Sequence, residues 1–215
     1  MRKTFALLLA GTLAAPAGAA AQVCLGYPAG RGQTDAGAVV RLRSGLSQFG
    51  GTVAAHTPTD VVLEAGLTLD HYSAGNGNGF TAAGRAGLEL HSAALAPTVS
   101  ICPFAGAGIT HASDLTVLDV PLGFGVGGIL PLEASTPADS AYALKLLLHT
   151  APAIFLAHAS VPGHSHSSAV GGVELGARVL YLQYYAGAAL LVRAAHNDAV
   201  FSVYAGLTLP RHPRS

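Results

Sequence analysis

The residues best suited to chemistry are gathered in His158-Ala-Ser160-Val-Pro-Gly-His164-Ser-His166-Ser-Ser168. His164 and His166 could share a divalent ion, because a neutral imidazole is the commonest metal ligand. No third ligand is placed beside them, so a polar loop with no metal is the expectation. His158, Ser160, His164 and Ser167, with Glu174 to orient an imidazole, also supply the residue types of an acyl-transferring site. They lack a nucleophile elbow or any spacing that sets a base beside a nucleophile. Ser and His are ordinary in an exposed loop, so no catalytic residue is expected, and a lipid-modifying enzyme stands only as an alternative.

Cys24 and Cys102 are the only cysteines. In an oxidising compartment such a pair is expected to form a disulfide. Closing so long a loop would contribute about 4 kcal/mol in chain-entropy terms. Lipid attachment at Cys24 is the competing idea, but Gln22-Val23 lacks the small residue that lipoprotein processing prefers. Isolated charges of both signs, Glu64, Arg85, Glu89, Asp119, Lys145 and Glu174, with Arg178 as a further candidate, recur among glycines and small polar residues. A near-balanced set of this kind can neutralise itself inside an enclosure, where unpaired charge would be costly. The glycine-rich runs 104–108 and 123–128 neither open a helix nor lead to a Walker lysine, so no phosphate loop and no cofactor is expected.

The elements that would position these groups begin after an export signal. Met1-Arg2-Lys3 is cationic, Thr4 to Ala15 is mostly apolar, and Pro16 and Ala19-Ala20-Ala21 complete the layout, with cleavage expected after Ala21. Segment 22–36 then reads as N-terminal and periplasmic, 37–209 as the folded domain and 210–215 as a tail. Charged residues are 10% of the chain, against about 25% in ordinary soluble domains. Formal net charge is +0, which argues against a nucleic-acid partner. No later stretch offers about 20 consecutive apolar residues, so spanning helices are excluded.

Alternation supplies the fold. Val61, Leu63, Ala65, Leu67 and Leu69 share one face of 60–72, while Glu64, Gly66, Thr68, Asp70 and Tyr72 share the other. The same period of two sets Phe80, Ala82, Ala86 and Leu88 against Thr81, Arg85 and Glu89. It recurs through 98–111, 117–130 and 198–209, and each run is a two-faced strand. Turn-rich pieces at Ser73–Gly79, His111–Leu115, Pro131–Ser140, Ala159–Ser167 and Ala194–Asn197 separate them. The sequence predicts an all-β, antiparallel up-and-down transmembrane barrel of ten strands, or eight if segments merge. The ten fall near 37–45, 49–57, 60–72, 79–91, 98–111, 117–130, 141–158, 167–176, 179–193 and 198–209. Pro103, Pro121 and Pro152 fall inside these strands and demand bulges, strand ends or register shifts. The glycine-and-charge face is expected to line the lumen and the Leu, Val, Ala, Ile and Phe face to meet lipid. Tyr72, Phe80, Tyr142, Phe155, Tyr181, Tyr184 and Tyr185 are the candidates for interfacial aromatic belts.

With its signal, its alternating strands over 36–209 and its ending Val203-Tyr204-Ala205-Gly206-Leu207-Thr208-Leu209, the chain resembles small bacterial outer-membrane β-barrel proteins of the OmpA/OmpX type. The ending is similar to the terminal strand that barrel-assembly machinery recognises, although Pro210–Ser215 follows it and the usual final aromatic is absent. The resemblance implies a monomer in the bacterial outer membrane, with membrane lipid and the assembly machinery as partners. It carries no catalytic residue. The expected role is structural, or interactive through surface loops that meet an extracellular or envelope ligand, around a closed, charge-paired lumen. An exported soluble barrel that binds a small apolar ligand is the other alternative.

Overall fold

The computed structural model describes residues 24–73, 77–90, 99–132, 143–194 and 198–209. The expected signal segment 1–21, most of Pro131–Ser140, Tyr142 and the tail 210–215 lie outside them, as do parts of Ser73–Gly79 and Ala194–Asn197.

Ten strands form one closed antiparallel barrel. They are β1 (Thr34–Arg43), β2 (Leu46–His56), β3 (Val61–Tyr72), β4 (Asn78–Leu88), β5 (Val99–Ala112), β6 (Leu115–Pro131), β7 (Lys145–Val161), β8 (His164–Tyr181), β9 (Tyr184–Arg193) and β10 (Asp198–Leu209). Each pairs with its sequence neighbour, and β1 closes on β10, from Thr34 opposite Leu209 to Leu42 opposite Phe201. Closure removes both sheet edges, so every strand except at its overhanging ends is paired on both sides.

The period-two pattern decides which way each side chain points. Leu63, Leu67, Leu69, Leu88, Leu122 and Phe124 face outward and are exposed, Leu69 at 69%. Thr52, Val62, Thr68, Asp70, Cys102, Ser100 and Arg178 face inward and are buried. The outward face is a continuous apolar surface around a closed sheet, and the polar inventory is enclosed. Of the aromatics named above, Phe80, Tyr181 and Tyr184 are exposed, whereas Phe155 and Tyr185 are buried in the lumen. Strand parity sends alternate residues to opposite faces, so Tyr184 and Tyr185 cannot both serve an outer belt.

The prolines are accommodated without any change of register. Pro121 falls where the β5–β6 ladder is interrupted, between Ala105–Leu122 and Gly108–Asp119. Pro152 falls in a similar interruption of the β6–β7 ladder, between Gly123–Ala153 and Val126–Thr150. Pro103 lies beyond the last β4–β5 pair, Gly87–Phe104. In each case pairing lapses beside the residue that lacks an N–H, then resumes in the same register. Pro152 therefore does not divide β7.

The largest departure from expectation concerns β7 to β9. Gly176–Arg178 is not a turn but the continuation of β8, whose alternation sends Glu174, Gly176 and Arg178 inward in succession. The reversal is at Leu182-Gln183, with Leu182 at φ 55°. Likewise Ala159–Ser167 is not a long loop. Pro162-Gly163, with Gly163 at φ 81°, turns the chain sharply between β7 and β8. Pro fixes the first turn position and Gly accepts the positive φ of the second. The β7–β8 hairpin extends beyond β9, which meets β8 only from Gly172 onward, while β6 accompanies β7 as far as Ser160. β1 also starts earlier than expected, at Thr34, and the residues before it enter the barrel.

Candidate functional site

The lumen is divided into a packed base and an open cup. The base is at the end where β1 begins and β10 ends, and it is filled by the segment that precedes β1. Cys24, Leu25, Tyr27 and Ala29 are buried there against Val62, Cys102, Phe104 and Phe155. A Cys24–Cys102 disulfide ties the segment to the inner face of β5. The Ala29 amide donates to Asp35 at 2.8 Å, and Gly32 N–H donates to the His56 carbonyl at 2.6 Å. The expected periplasmic lead-in is thus a plug.

Above the plug, Arg85 is the central cation. Its Nε donates to Glu64 Oε2 at 2.6 Å, and Nη1 lies 3.9 Å from Glu174 Oε2. Glu64 and Arg85 are directly opposed on β3 and β4, so register alone makes this pair. Tyr27 donates its hydroxyl to the other Glu64 oxygen at 2.9 Å, joining plug to wall. Burial pushes the Tyr27 phenol well above its ordinary range, with the Glu64 carboxylate adding to the shift, so it remains a neutral donor. Glu174 also meets His149 Nε2 at 3.0 Å.

Cations here are matched to ring faces as well as carboxylates. The Arg178 guanidinium sits 4.5 Å from the Tyr27 ring centre, 4.6 Å from that of Tyr204 and 5.5 Å from that of Tyr185. Arg193 lies 4.3 Å over Phe155 and donates to Asp119 at 3.3 Å. A desolvated guanidinium over an aromatic face gains about 2 kcal/mol, which offsets part of the cost of burial. On the opposite wall, Asp70 accepts from Thr68 at 3.0 Å, Thr81 at 2.6 Å and Gln48 at 2.9 Å, and so is fully engaged.

Of the six charges expected in a lumen network, Glu64, Arg85 and Glu174 form its centre. Asp119 joins Arg193 nearer the mouth. Glu89 lies at the terminal end beside His56, at 3.2 Å. Lys145, the first residue of β7, takes part in no ion pair among the described residues. Arg178, the further candidate on the charged face, is also central, whereas Arg193, His149 and Tyr27 are members that sequence spacing alone does not reveal. Inward parity was available as a signal for Arg193 and His149, which lie on strands, but not for Tyr27, which precedes β1, and the partners of all three were hidden.

The cup above this floor is a cavity of about 350 Å³, bordered by Arg41, Arg43, Gln48, Tyr72, Asp119 and Arg193. The His and Ser cluster is not part of it as one group. Strand parity turns His158, Ser160, Ser165 and Ser167 outward, with His158 Nδ1 2.8 Å from Ser167 Oγ. His164 and His166 share the other face of the hairpin, while Glu174 is engaged with His149 in the lumen. The five residues of the acyl-transfer alternative therefore do not converge.

His149 marks a tight joint between plug and wall. A Cβ at Gly26 would fall 2.6 Å from its ring, and one at Gly176 closer still. Gly176→Val is expected to displace His149 from Glu174 and lower stability by about 1–3 kcal/mol, as overpacking does. Urea titration of the refolded protein, with Gly176→Ala as the milder variant, reads this directly; an unchanged midpoint for Gly176→Val would contradict the packing.

No family model matches the chain, and no curated protein matches it. Among solved structures, the chain is similar to the N-terminal β-barrel domain of Pseudomonas aeruginosa OprF, with TM-score 0.38 and 11% identity over 84% of this chain and 99% of that one. It is also similar to LpxR from Salmonella typhimurium, with TM-score 0.44 and 10% identity over 75% of this chain and 72% of that one.

Proposed function

We propose that the protein is a monomeric, non-conducting barrel of the bacterial outer membrane, exported by its N-terminal segment and serving a structural or surface-interaction role. The observation that carries this reading is the inversion of polarity. Large apolar side chains cover the outside of a closed sheet, while Asp35, Asp70, Glu89 and Arg178 are buried inside it. In water, that arrangement would leave an apolar surface far larger than the few hundred Å² that monomeric soluble proteins expose. In a bilayer the closed sheet pairs its backbone strand to strand with no free edge and leaves hydrocarbon facing hydrocarbon.

The disulfide-tied plug and the Arg85 network support a lumen closed to ions. The β7–β8 hairpin, which extends past β9, supports a surface role through its exposed His and Ser residues. With the chain termini on the periplasmic side, that hairpin faces outward from the cell. Membrane lipid and the assembly machinery are the partners this role needs, and no catalytic step is required.

Fractionation and heat-dependent gel migration test the placement. The folded protein is expected in the outer-membrane fraction, migrating faster unheated than boiled. Leu67 is 56% exposed near the middle of β3, and Leu67→Arg should cost about 2–4 kcal/mol in lipid. Recovery of the protein from the soluble periplasm, with Leu67→Arg harmless, would instead favour the exported ligand-binding barrel. Planar-bilayer recording is expected to show no steady conductance.

A further inference from the structure

At the terminal end of the barrel, three side chains from separate elements converge. His56 is the last residue of β2, Asp60 ends the β2–β3 turn, and Glu89 directly follows β4. One candidate donor atom from each lies within 4.8 Å of the others. His56 Nε2 stands 3.2 Å from Glu89 Oε2 and 3.9 Å from Asp60 Oδ1. The His56 and Glu89 side chains are 2% and 0% exposed, whereas that of Asp60 is 26% exposed.

The other imidazole nitrogen sets the tautomer. Nδ1 lies 3.1 Å from the Ala29 carbonyl oxygen, which can only accept, so the Nδ1 proton is donated there. In the neutral ring this leaves Nε2 with a lone pair, the orientation that an outer hydrogen bond imposes on metal-binding histidines. Nε2 makes no hydrogen bond among the described residues. Glu89 Oε2 lies beside it, and the donor atoms of His56, Asp60 and Glu89 converge on one small volume.

We propose that His56, Asp60 and Glu89 bind one divalent transition-metal ion, of which zinc is the best match. Nitrogen and oxygen donors at about 2.0–2.2 Å from zinc lie roughly 3.0–3.5 Å from each other. The His56–Glu89 separation falls within that range, and the half-buried Asp60 needs only a small swing to join. One imidazole with two carboxylates suits zinc better than magnesium or calcium, which favour all-oxygen shells. Arg31 is ion-paired with Asp60 and offsets part of the negative charge of the two carboxylates.

The backbone holds the donors in place without the ion. Thr57 N–H donates to the Val61 carbonyl at 2.8 Å, and Glu89 N–H donates to the Asp60 carbonyl at 2.8 Å. Ala29 and Arg31 belong to the plug, so the ion would clamp plug, turn and β4 together. This site is independent of the membrane reading.

The test is zinc titration by calorimetry on the untagged, metal-stripped protein refolded in detergent, followed by zinc-edge X-ray absorption. The expected result is one zinc per chain in a nitrogen-and-oxygen shell with a single imidazole. His56→Gln and Glu89→Gln should each weaken binding at least about 10-fold, and Asp60→Asn provides a second, gentler variant. His164→Ala combined with His166→Ala should leave affinity unchanged. Absence of zinc binding would overturn the proposal. So would equal affinity in folded Glu89→Gln and Asp60→Asn, or loss of binding in the His164 and His166 variant.

Discussion

Arg85→Leu is expected to destabilise the barrel by about 3–5 kcal/mol, the cost of removing one partner from an enclosed ion network. Glu64 and Glu174 would remain facing each other across the floor of the cup, with the 2.6 Å bond from Arg85 Nε gone. Arg178 cannot replace it, because it is held among the rings of Tyr27, Tyr185 and Tyr204. Urea unfolding in detergent, followed by gel migration, measures the loss. The triple variant Arg85→Leu, Glu64→Gln, Glu174→Gln should recover most of it, since no uncompensated charge is then left inside. A triple variant as unstable as Arg85→Leu would show that guanidinium packing over Phe104, at 5.8 Å, matters more than charge.

Removing the disulfide has the second large consequence. Cys24→Ser with Cys102→Ser is expected to cost about 4 kcal/mol in the chain-entropy view, since the bond joins residues 78 apart in sequence. Both sulfurs pack against Gly87, where a Cβ would meet them at 2.5 and 2.8 Å. The joint is therefore tight as well as covalent. The plug should stay docked in this variant through the Tyr27–Glu64, Ala29–Asp35 and Gly32–His56 hydrogen bonds. Adding Tyr27→Ala breaks the deepest of these and removes a ring from Arg178. Intermittent conductance is then expected in planar bilayers where the unaltered protein has none. A triple variant as silent as the parent would mean that lumen side chains close the barrel without the plug.

Much of the architecture was legible from residue order alone. Val61 to Tyr72 and Phe80 to Glu89 assign every side chain to one of two faces, and parity is a local property of extended backbone. Outward Leu63, Leu88 and Phe124 and inward Glu64 and Arg85 follow without any knowledge of neighbours. The β8 boundaries were not legible, because Gly176 resembles a turn residue in isolation. Between inward Glu174 and Arg178 it is instead the space that admits the His149 ring.

Which inward groups meet was decided by closure. Asp119 and Arg193 are 74 residues apart, and Thr208 reaches Asp35 across 173, only because β10 returns to β1 in one particular register. The plug is a tertiary feature for the same reason: Cys24, Tyr27 and Ala29 carry no periodicity of their own and acquire partners only from a finished lumen. His56, Asp60 and Glu89 likewise come together where two strand ends and a turn meet. Alternation by itself determined a two-faced sheet with its charges on one side. Strand count, stagger and the chain threaded inside determined which charges touch, because those contacts span the barrel and no short stretch of sequence encodes a distance across it.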